Sequence, residues 1–486
     1  MPVALLIAMV LAFGVRVPTE SNAFAKGELT RSLAWSSLGV CVVAMTGTLF
    51  GLWISARVTR LGIADRIAKR WFRIGSRVVA WLGLAIFVAT LTLLDWTRVV
   101  DLGIGLRRVP FVEEMAILAP YLLGQGLALA GLYRAERAMR ADTANRGMVG
   151  DLLRRGRRIG GLILPVAVMI VVGRDFLREG PNDDPTTAFA LMCGLAVLVF
   201  LLAPAFVRMA FPLRPLPPGE LRDRLERLSR RLRFRCTDIL VWDTDKTVIN
   251  AGVTGAIPQF RYVLLTDALI ESLEPAEIEA VFGHEIGHVA HRHLPYFALF
   301  FLGSAGLLTL VASALERFAE VDRFFDRVLP NGQVGGVIKT SIVLACLGIY
   351  FFVAFGAISR RLERQADLYG TRAVSCGSPN CPPHLDPNLP ESPELPISAV
   401  CPEGIRIFAH ALADVALMNG VPIDKASWRH GTIARRIAFL ESLAAQPGVE
   451  QHFDRTTTQL MWGLIVVLSA GCAAAGVVLL FTSAPT

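Results

Sequence analysis

Residues 281–288 read Val-Phe-Gly-His-Glu-Ile-Gly-His, and this stretch decides what kind of domain the chain contains. On a helix, positions i and i+4 share one face, so the imidazoles of His284 and His288 can converge on one cation. Zinc accepts neutral imidazole nitrogens at about 2.0–2.1 Å and favours tetrahedral coordination. Glu285 lies beside the first histidine and can reach a water molecule as a general base. The stretch therefore predicts a catalytic zinc site on a helix that begins near Pro275; an incidental helix face with paired histidines is the alternative.

A catalytic zinc ion needs a third protein ligand, for which the sequence offers two candidates. His291 lies seven residues beyond His284, about 10 Å along a helix axis, which is too far for one ion to hold all three histidines. The better candidate is Glu363, in the polar segment 359–367 that follows an apolar stretch. Asp367 lies one turn further on the same face and is expected to accept a hydrogen bond from a ligand histidine. A charged helix face among arginines is the alternative for both carboxylates.

Two further histidines, His291 and His293, follow the motif closely. The sequence places both on the same helix as the motif, and we expect them to be solvated or interfacial.

The composition indicates a membrane protein. Of the 486 residues, 53% are apolar and only 19% are charged, whereas a soluble domain carries about 25% charge. Disorder, collagen-like repeats and small disulfide scaffolds are excluded, since eight cysteines are scattered through a long apolar chain. Spans of about 20 apolar residues are predicted at 33–54, 78–95, 115–133, 187–208, 297–315, 336–357 and 459–481, with shorter candidates at 3–15 and 159–173.

The distribution of Lys and Arg predicts the orientation of these spans. Seven lie in residues 56–77 and eight in residues 134–158, whereas the intervening loops hold two or three each. Rich and poor loops alternate, as the positive-inside rule requires, so the two rich loops are predicted to be cytoplasmic. Counting forward places 212–296 and 358–458 on the same side. The net charge of +8 is therefore attributed to these loops and not to nucleic-acid binding.

The spans and polar stretches divide the chain into three predicted regions. The first segment, 3–15, is either a span or a cleaved signal peptide, because Ala23-Phe24-Ala25 resembles a cleavage site. The regions are an N-terminal membrane part of about six helices (1–211), a cytoplasmic zinc metallopeptidase domain (212–458) interrupted by the spans 297–315 and 336–357, and a C-terminal transmembrane helix (459–486).

Several stretches together resemble the integral-membrane zinc endopeptidases of the HtpX heat-shock protease and CAAX prenyl protease family. They are Val281–His288, Ser359–Asp367, Asn250–Gly255, Arg261–Asp267 and Trp428–Ile437. The resemblance covers residues 220–445, and two spans between the motif helix and the Glu363 helix are also a family feature. It implies a mostly α, polytopic helical membrane protein with a cytoplasmic zincin-like (gluzincin) metalloprotease domain that contains a small β-sheet.

The resemblance also implies a role for each residue of the predicted site. One catalytic Zn²⁺ is expected to bind His284, His288 and Glu363, with Glu285 activating water and Asp367 supporting a ligand. Asn250 is expected near a strand that pairs with extended substrate, or else is a turn residue. His430 and Arg436 are expected near the cleft, where they can stabilise a developing oxyanion; a surface helix start with salt bridges is the alternative. Gly431 stands where family members often carry proline.

The implied function is a membrane-embedded zinc endopeptidase with a cytoplasm-facing site. The expected partners are the lipid bilayer and a polypeptide substrate, a membrane or misfolded protein, in quality control at a bacterial inner membrane. Prenyl-protein processing of the CAAX type and a non-catalytic zinc-binding membrane scaffold are the alternatives. A transporter is disfavoured, because the predicted spans carry few ionisable residues.

The insertion 374–402 departs from the family pattern. It is rich in proline and holds Cys376, Cys381, His384 and Cys401. These four residues predict either a second, structural zinc site or a stiff loop with free thiols. A disulfide would be unusual on the cytoplasmic side.

Overall fold

The chain is mostly helical, and the computed structural model divides it into two compact units, Met1–Val199 and Phe200–Thr486. The structure describes residues 2–14, 26–61, 66–104, 112–139, 185–316, 345–376, 400–445 and 449–482 (without 245, 247 and 347), together with Cys381 and a few positions between 149 and 165.

The helices of six or more residues in the described part of the chain are numbered here in chain order. They are α1 (Pro2–Gly14), α2 (Lys26–Leu61), α3 (Arg66–Leu93), α4 (Val112–Met139), α5 (Pro185–Ala210), α6 (Glu220–Arg231), α7 (Asp267–Ser272), α8 (Pro275–Ala290), α9 (His293–Glu316), α10 (Gly356–Ala373), α11 (Pro402–Met418), α12 (Ile433–Ala445) and α13 (Val449–Thr482). Shorter helical turns are Trp96–Arg98, Val99–Gly103, Pro258–Phe260 and Phe351–Phe355. The strands are β1 (Leu213–Pro215), β2 (Asp238–Trp242), β3 (Ala251–Thr254) and β4 (Tyr262–Thr266).

Four helices in the described part of the chain are long and apolar enough to cross a membrane. They are Gly27–Arg60, Arg70–Leu93, Val112–Met139 and Val449–Ala474, which overlap the predicted spans 33–54, 78–95, 115–133 and 459–481. Helices α5 and α9 cover the predicted spans 187–208 and 297–315 with shorter apolar stretches. Most of 159–173, and residues 336–344, lie outside the described residues. The fold confirms the predicted class, a polytopic helical membrane protein with a small mixed sheet.

Within the first unit, α2 and α4 approach each other closely through small residues. A Cβ atom added to Gly47 would meet the Cα of Ala128 at 2.6 Å, and Gly51 faces the backbone of Gly131 in the same way. Helices in a bilayer gain no hydrophobic free energy by associating, because lipid tails are as apolar as the side chains. Close van der Waals packing through small residues stabilises their contact instead. The side-chain NH2 group of Gln125 donates to the carbonyl oxygens of Val79 and Ala80 on α3 at 3.4 and 3.3 Å, which links α4 to α3.

In the second unit, the four strands form one sheet in the order β1-β2-β4-β3. Strands β2 and β4 are parallel, whereas β3 runs antiparallel to β4 with Val253 opposite Val263. Among the described strands, β3 therefore pairs on one side only. The buried side chains of Val263 and Leu265 belong to the same core as Phe282 and Ile286 of α8. This core holds the motif helix against the sheet, next to β3.

Both ends of α8 have clear local causes. At its start, the Glu274 side chain accepts from the backbone of Glu277, while the Glu277 carboxylate accepts from the Glu274 N–H, with Pro275 at the first position. This capping box satisfies backbone donors that a helix start leaves free. At its end, Arg292 adopts a left-handed backbone conformation with φ of 58°, which is uncommon outside glycine and interrupts the helix. A separate helix, α9, therefore starts at His293.

Candidate metal centre

Helix α8 presents the two motif histidines on one face, as the i, i+4 spacing predicts. Their Nε2 atoms lie 3.3 Å apart. Two nitrogens that bind one tetrahedral zinc ion at 2.0–2.1 Å would be about 3.3–3.4 Å apart. The separation between His284 and His288 thus matches two ligands of a single ion.

Glu363 of α10 completes a group of three possible ligands. Its carboxylate oxygens lie 3.8 Å from Nε2 of His284 and 3.9 Å from Nε2 of His288. One ligand atom from each of the three residues lies within 4.8 Å of the others. Burial would raise the pKa of Glu363, but a hydrogen bond from His430 and the charge of Arg436 hold it below its ordinary value. The carboxylate is therefore ionised, as a metal ligand must be.

Small residues let α8 and α10 pack closely enough to bring Glu363 to the histidines. A Cβ added to Gly287 would meet Cβ of Tyr369 at 2.9 Å and Cα of Ala366 at 3.1 Å. In the opposite direction, a Cβ on Gly370 would meet the carbonyl oxygen of Ala280 at 2.8 Å and the backbone nitrogen of His284 at 2.9 Å. Both helix backbones thus limit side-chain size at the crossing.

Gly370→Ala is expected to destabilise the second unit by about 1–3 kcal/mol, because the added methyl group pushes on backbone atoms that cannot rotate away. The shift would displace His284, so metal affinity should fall together with the thermal unfolding temperature. Gly463→Ala is the matched control, since nothing lies within 4 Å of a Cβ at that position. Equal thermal stability of the two variants would contradict this account of the crossing.

A carboxylate and an arginine hold His284 in place. Its Nδ1 lies 2.9 Å from Oδ1 of the fully buried Asp367. Arg436 of α12 donates to both oxygens of that carboxylate, through Nε to Oδ2 at 2.7 Å and through Nη2 to Oδ1. Burial would raise the pKa of Asp367, but the charge and hydrogen bonds of Arg436 and the contact with His284 lower it. An ionised Asp367 keeps the ring proton of His284 on Nδ1. The Nε2 atom is then unprotonated, and its lone pair can bind a metal.

His293, which we expected to be solvated or interfacial, is instead fully buried behind the metal site. The reason is the left-handed Arg292, which interrupts α8 and starts a new helix at this histidine. The Nδ1 atom of His293 lies 2.9 Å from Nδ1 of His288, and its Nε2 lies 3.0 Å from Oε1 of Gln365. His291 is only half-buried. The expectation was therefore wrong for His293.

This chain of contacts sets the tautomers of both rings. Oε1 of Gln365 can only accept, so Nε2 of His293 donates to it and Nδ1 of His293 is an acceptor. His288 then donates from Nδ1, so its Nε2 is unprotonated and carries a lone pair, as Nε2 of His284 does. Two lone pairs 3.3 Å apart, with a carboxylate beside them, repel one another unless a cation lies between them. The donor set therefore suits a divalent metal such as zinc.

His293→Ala is expected to weaken zinc binding about 10- to 100-fold, because His288 loses the acceptor that orients its ring. His293→Gln, whose carbonyl can accept the same hydrogen, should recover part of the affinity. Competition with a chromophoric chelator measures the dissociation constant, and His452→Ala on an exposed residue of α13 serves as control. An unchanged constant in His293→Ala would contradict the orienting role.

Glu285 lines a cavity together with His284, His288 and Glu363, and it contacts strand β3. The backbone N–H of Val253 in β3 donates to its carboxylate. Burial raises the pKa of Glu285, and the charge of Glu363 adds to this rise, while His284 and the Val253 N–H oppose it. The carboxylate is thus a stronger proton acceptor than an exposed glutamate.

The other predicted site residues line the same cavity, whose volume is about 730 Å³. His430, with 47% of its side chain exposed, places Nδ1 3.0 Å from Oε1 of Glu363. Arg436 is buried, with Nη1 3.7 Å from Oε2 of Glu363. Asn250 immediately precedes β3, and its N–H donates to Oγ1 of Thr266 at 3.0 Å. Apolar side chains of α8, α9 and α11 complete the wall.

The cysteines of the 374–402 insertion also come together. The sulfur atoms of Cys376, Cys381 and Cys401 lie within 4.8 Å of one another. His384 lies outside the described residues.

Comparison with known proteins shows similarity to one peptidase family. The profile of Peptidase family M48 matches residues 215–380. A protease HtpX homolog of Methanocaldococcus jannaschii is 26% identical over 215 residues, which cover 44% of this chain and 70% of the relative. CAAX prenyl protease 1 of Saccharomyces cerevisiae is 34% identical over 232 residues, which cover 44% of this chain and only half of the relative.

A solved structure shares the fold over most of the chain. The crystal structure of S. mikatae Ste24p superposes with a TM-score of 0.50 at 17% identity, covering 84% of this chain and 98% of the other. The resemblance that the sequence motifs suggested is confirmed. Residues 215–380 of this chain thus match Peptidase family M48, and the chain is similar to HtpX homologs and to CAAX prenyl proteases.

Proposed function

We propose that the protein is a zinc-dependent membrane endopeptidase whose metal ligands are His284, His288 and Glu363 and whose general base is Glu285. The observation that carries the proposal is the convergence of the three ligand groups in one cavity with Glu285, beside the unpaired edge of β3. The match of residues 215–380 to Peptidase family M48 supports it.

Zinc held by these side chains would supply Lewis-acid polarisation of a carbonyl and would lower the pKa of water. Glu285 takes the proton of the attacking water and later passes it to the leaving amine. Glu285 suits this role because it lines the cavity next to a ligand in sequence and accepts a hydrogen bond from the N–H of Val253 in the edge strand.

His430 and Arg436 are proposed to assist at the carbonyl oxygen and at the ligands, respectively. The half-exposed ring of His430 reaches the cavity, and its imidazolium form, with Nδ1–H bound to Glu363, can donate from Nε2–H to a developing oxyanion. The guanidinium of Arg436 is engaged with Asp367 and lies near Glu363, so its main contribution is to hold both carboxylates in place.

The substrate is proposed to bind as an extended strand along the free edge of β3. Backbone N–H and C=O groups of an edge strand can pair with a peptide regardless of its side chains. Asn250 marks the start of this edge, and apolar residues of the cavity such as Phe297, Leu412 and Val415 suit hydrophobic side chains. This favours unfolded or membrane-derived polypeptides.

The site is proposed to face the cytoplasm, because the arginine-rich loops 56–77 and 134–158 favour that orientation. We favour membrane-protein quality control at a bacterial inner membrane. Processing of prenylated CAAX proteins is the second candidate, supported by the similarity to CAAX prenyl protease 1 of Saccharomyces cerevisiae. A non-catalytic zinc-binding scaffold is the third.

Purified full-length protein in detergent is expected to cleave unfolded casein, to lose this activity with 1,10-phenanthroline and to recover it with Zn²⁺. A farnesylated CAAX peptide in the same assay distinguishes the two enzymatic candidates, since the quality-control enzyme should not prefer it over an unfolded protein. Zinc binding without cleavage of either substrate would favour the scaffold and contradict the proposal.

A further inference from the structure

A cluster of three cysteines lies between the end of α10 and the start of α11. Cys376 is three residues beyond the end of α10, Cys401 directly precedes the first residue of α11, and Cys381 lies between them. Their sulfurs lie within 4.8 Å of one another, and none of the three forms a disulfide in the described part of the chain. Cys376 and Cys401 are therefore neighbours in space although 24 residues separate them in sequence.

We propose that Cys376, Cys381 and Cys401 bind a structural zinc ion, separate from the proposed catalytic one. Zinc binds thiolate sulfur at about 2.3 Å, so neighbouring sulfurs of a tetrahedral site lie about 3.8 Å apart. The three sulfur atoms already lie within 4.8 Å of one another, so they can reach this spacing with little movement. Three protein thiolates leave one position for a further ligand.

The surroundings of Cys401 stabilise a thiolate. The side chain is fully buried, and its sulfur accepts the N–H of Gly404 at 3.3 Å as the N-cap of the 17-residue α11. The positive end of a helix favours a negative charge at this position. The hydrogen bond from Gly404 also fixes the position of the Cys401 sulfur at the start of α11.

The mutual proximity of the sulfurs also favours a cation over free thiols. Three thiolates within 4.8 Å of one another would repel each other without a counter-ion between them. A divalent ion at the centre removes this repulsion, and coordinated thiols are deprotonated outright. A disulfide would use only two of the three sulfurs, and it would be unusual in the reducing compartment proposed for this domain.

The proposed ion would connect two helices that build the catalytic cavity. Helix α10 carries Glu363, while α11 carries Phe408, whose ring stacks on His284 with centroids 6.0 Å apart. An ion bound by Cys376 and Cys401 would tie the end of α10 to the start of α11. Its expected contribution is therefore to stability and not to chemistry.

Metal analysis of full-length protein in detergent tests the proposal. Wild type should hold two zinc ions per chain, Cys381→Ser should hold one, and Cys236→Ser, which alters a half-buried cysteine of the same unit, should hold two. Glu285→Gln should also keep two zinc ions. The activity of that variant tests the catalytic proposal, whereas the zinc count of Cys381→Ser tests this site. One zinc per chain in wild type and in Cys381→Ser alike would overturn the proposal.

X-ray absorption at the zinc edge of the wild type avoids any dependence on how the variants fold. A sulfur shell at about 2.3 Å is expected beside a nitrogen and oxygen shell at about 2.0–2.1 Å. A spectrum with nitrogen and oxygen neighbours alone would overturn the proposal. So would a thiol titration of unfolded, unreduced protein that finds a disulfide among these three cysteines.

Discussion

Glu285→Gln should retain its zinc and lose about 10²- to 10⁴-fold in kcat, the range that a positioned general base contributes. The amide keeps the volume of the side chain and can still accept the N–H of Val253, so the cavity should keep its shape. It cannot take a proton from water. The measurements are casein cleavage and zinc content on the same preparation.

Glu271→Gln is the control for this variant, because Glu271 is an exposed carboxylate on α7 with its nearest partner at Lys246. It should leave cleavage and zinc content unchanged. Full activity of Glu285→Gln would remove Glu285 from the mechanism. Lost activity together with lost zinc would show instead that Glu285 supports the metal site.

Glu363→Gln should lose the catalytic zinc as well as the activity. The carboxylate lies within 4 Å of Nε2 of both His284 and His288, and its charge balances a divalent ion. Removal of a residue that only supports a ligand lowers metal affinity about 10- to 100-fold. Removal of a ligand itself should therefore lower the affinity more than about 100-fold. Equilibrium dialysis against buffered zinc measures this affinity.

The control is Glu441→Gln, on an exposed position of α12. Glu363→Gln should contain one zinc ion fewer per chain than Glu441→Gln under identical conditions. A Glu363→Gln protein that binds zinc normally would exclude Glu363 as a ligand, and the third ligand would then have to come from elsewhere in the cavity.

Much of the candidate site could be predicted from the local sequence, because the geometry of a helix depends only on neighbouring residues. The spacing of His284 and His288 places both rings on one face of any helix, and the apolar spans identify the membrane fold by length and composition alone. Glu363 could be predicted from its place in a polar helix after an apolar stretch. Asp367 followed from the same helical spacing.

The contact between His293 and His288 could not be predicted, since it depends on one backbone angle. Arg292 is left-handed, a conformation that arginine seldom adopts, and the interruption turns an apparent continuation of α8 into the start of α9. Gln365 then reaches His293 from a helix 72 residues away in sequence. Only the packed structure brings these two polar groups behind the metal site.

The sequence by itself determined the class of membrane protein and which residues could bind a metal, because hydrophobic length and i, i+4 spacing act within single segments. The tertiary structure decided the tautomers of the two histidines, through Asp367 and Arg436 on one side and His293 and Gln365 on the other. It also decided how close α8 and α10 lie, through Gly287 and Gly370. These features depend on contacts between distant segments, and the spacing within one segment does not encode them.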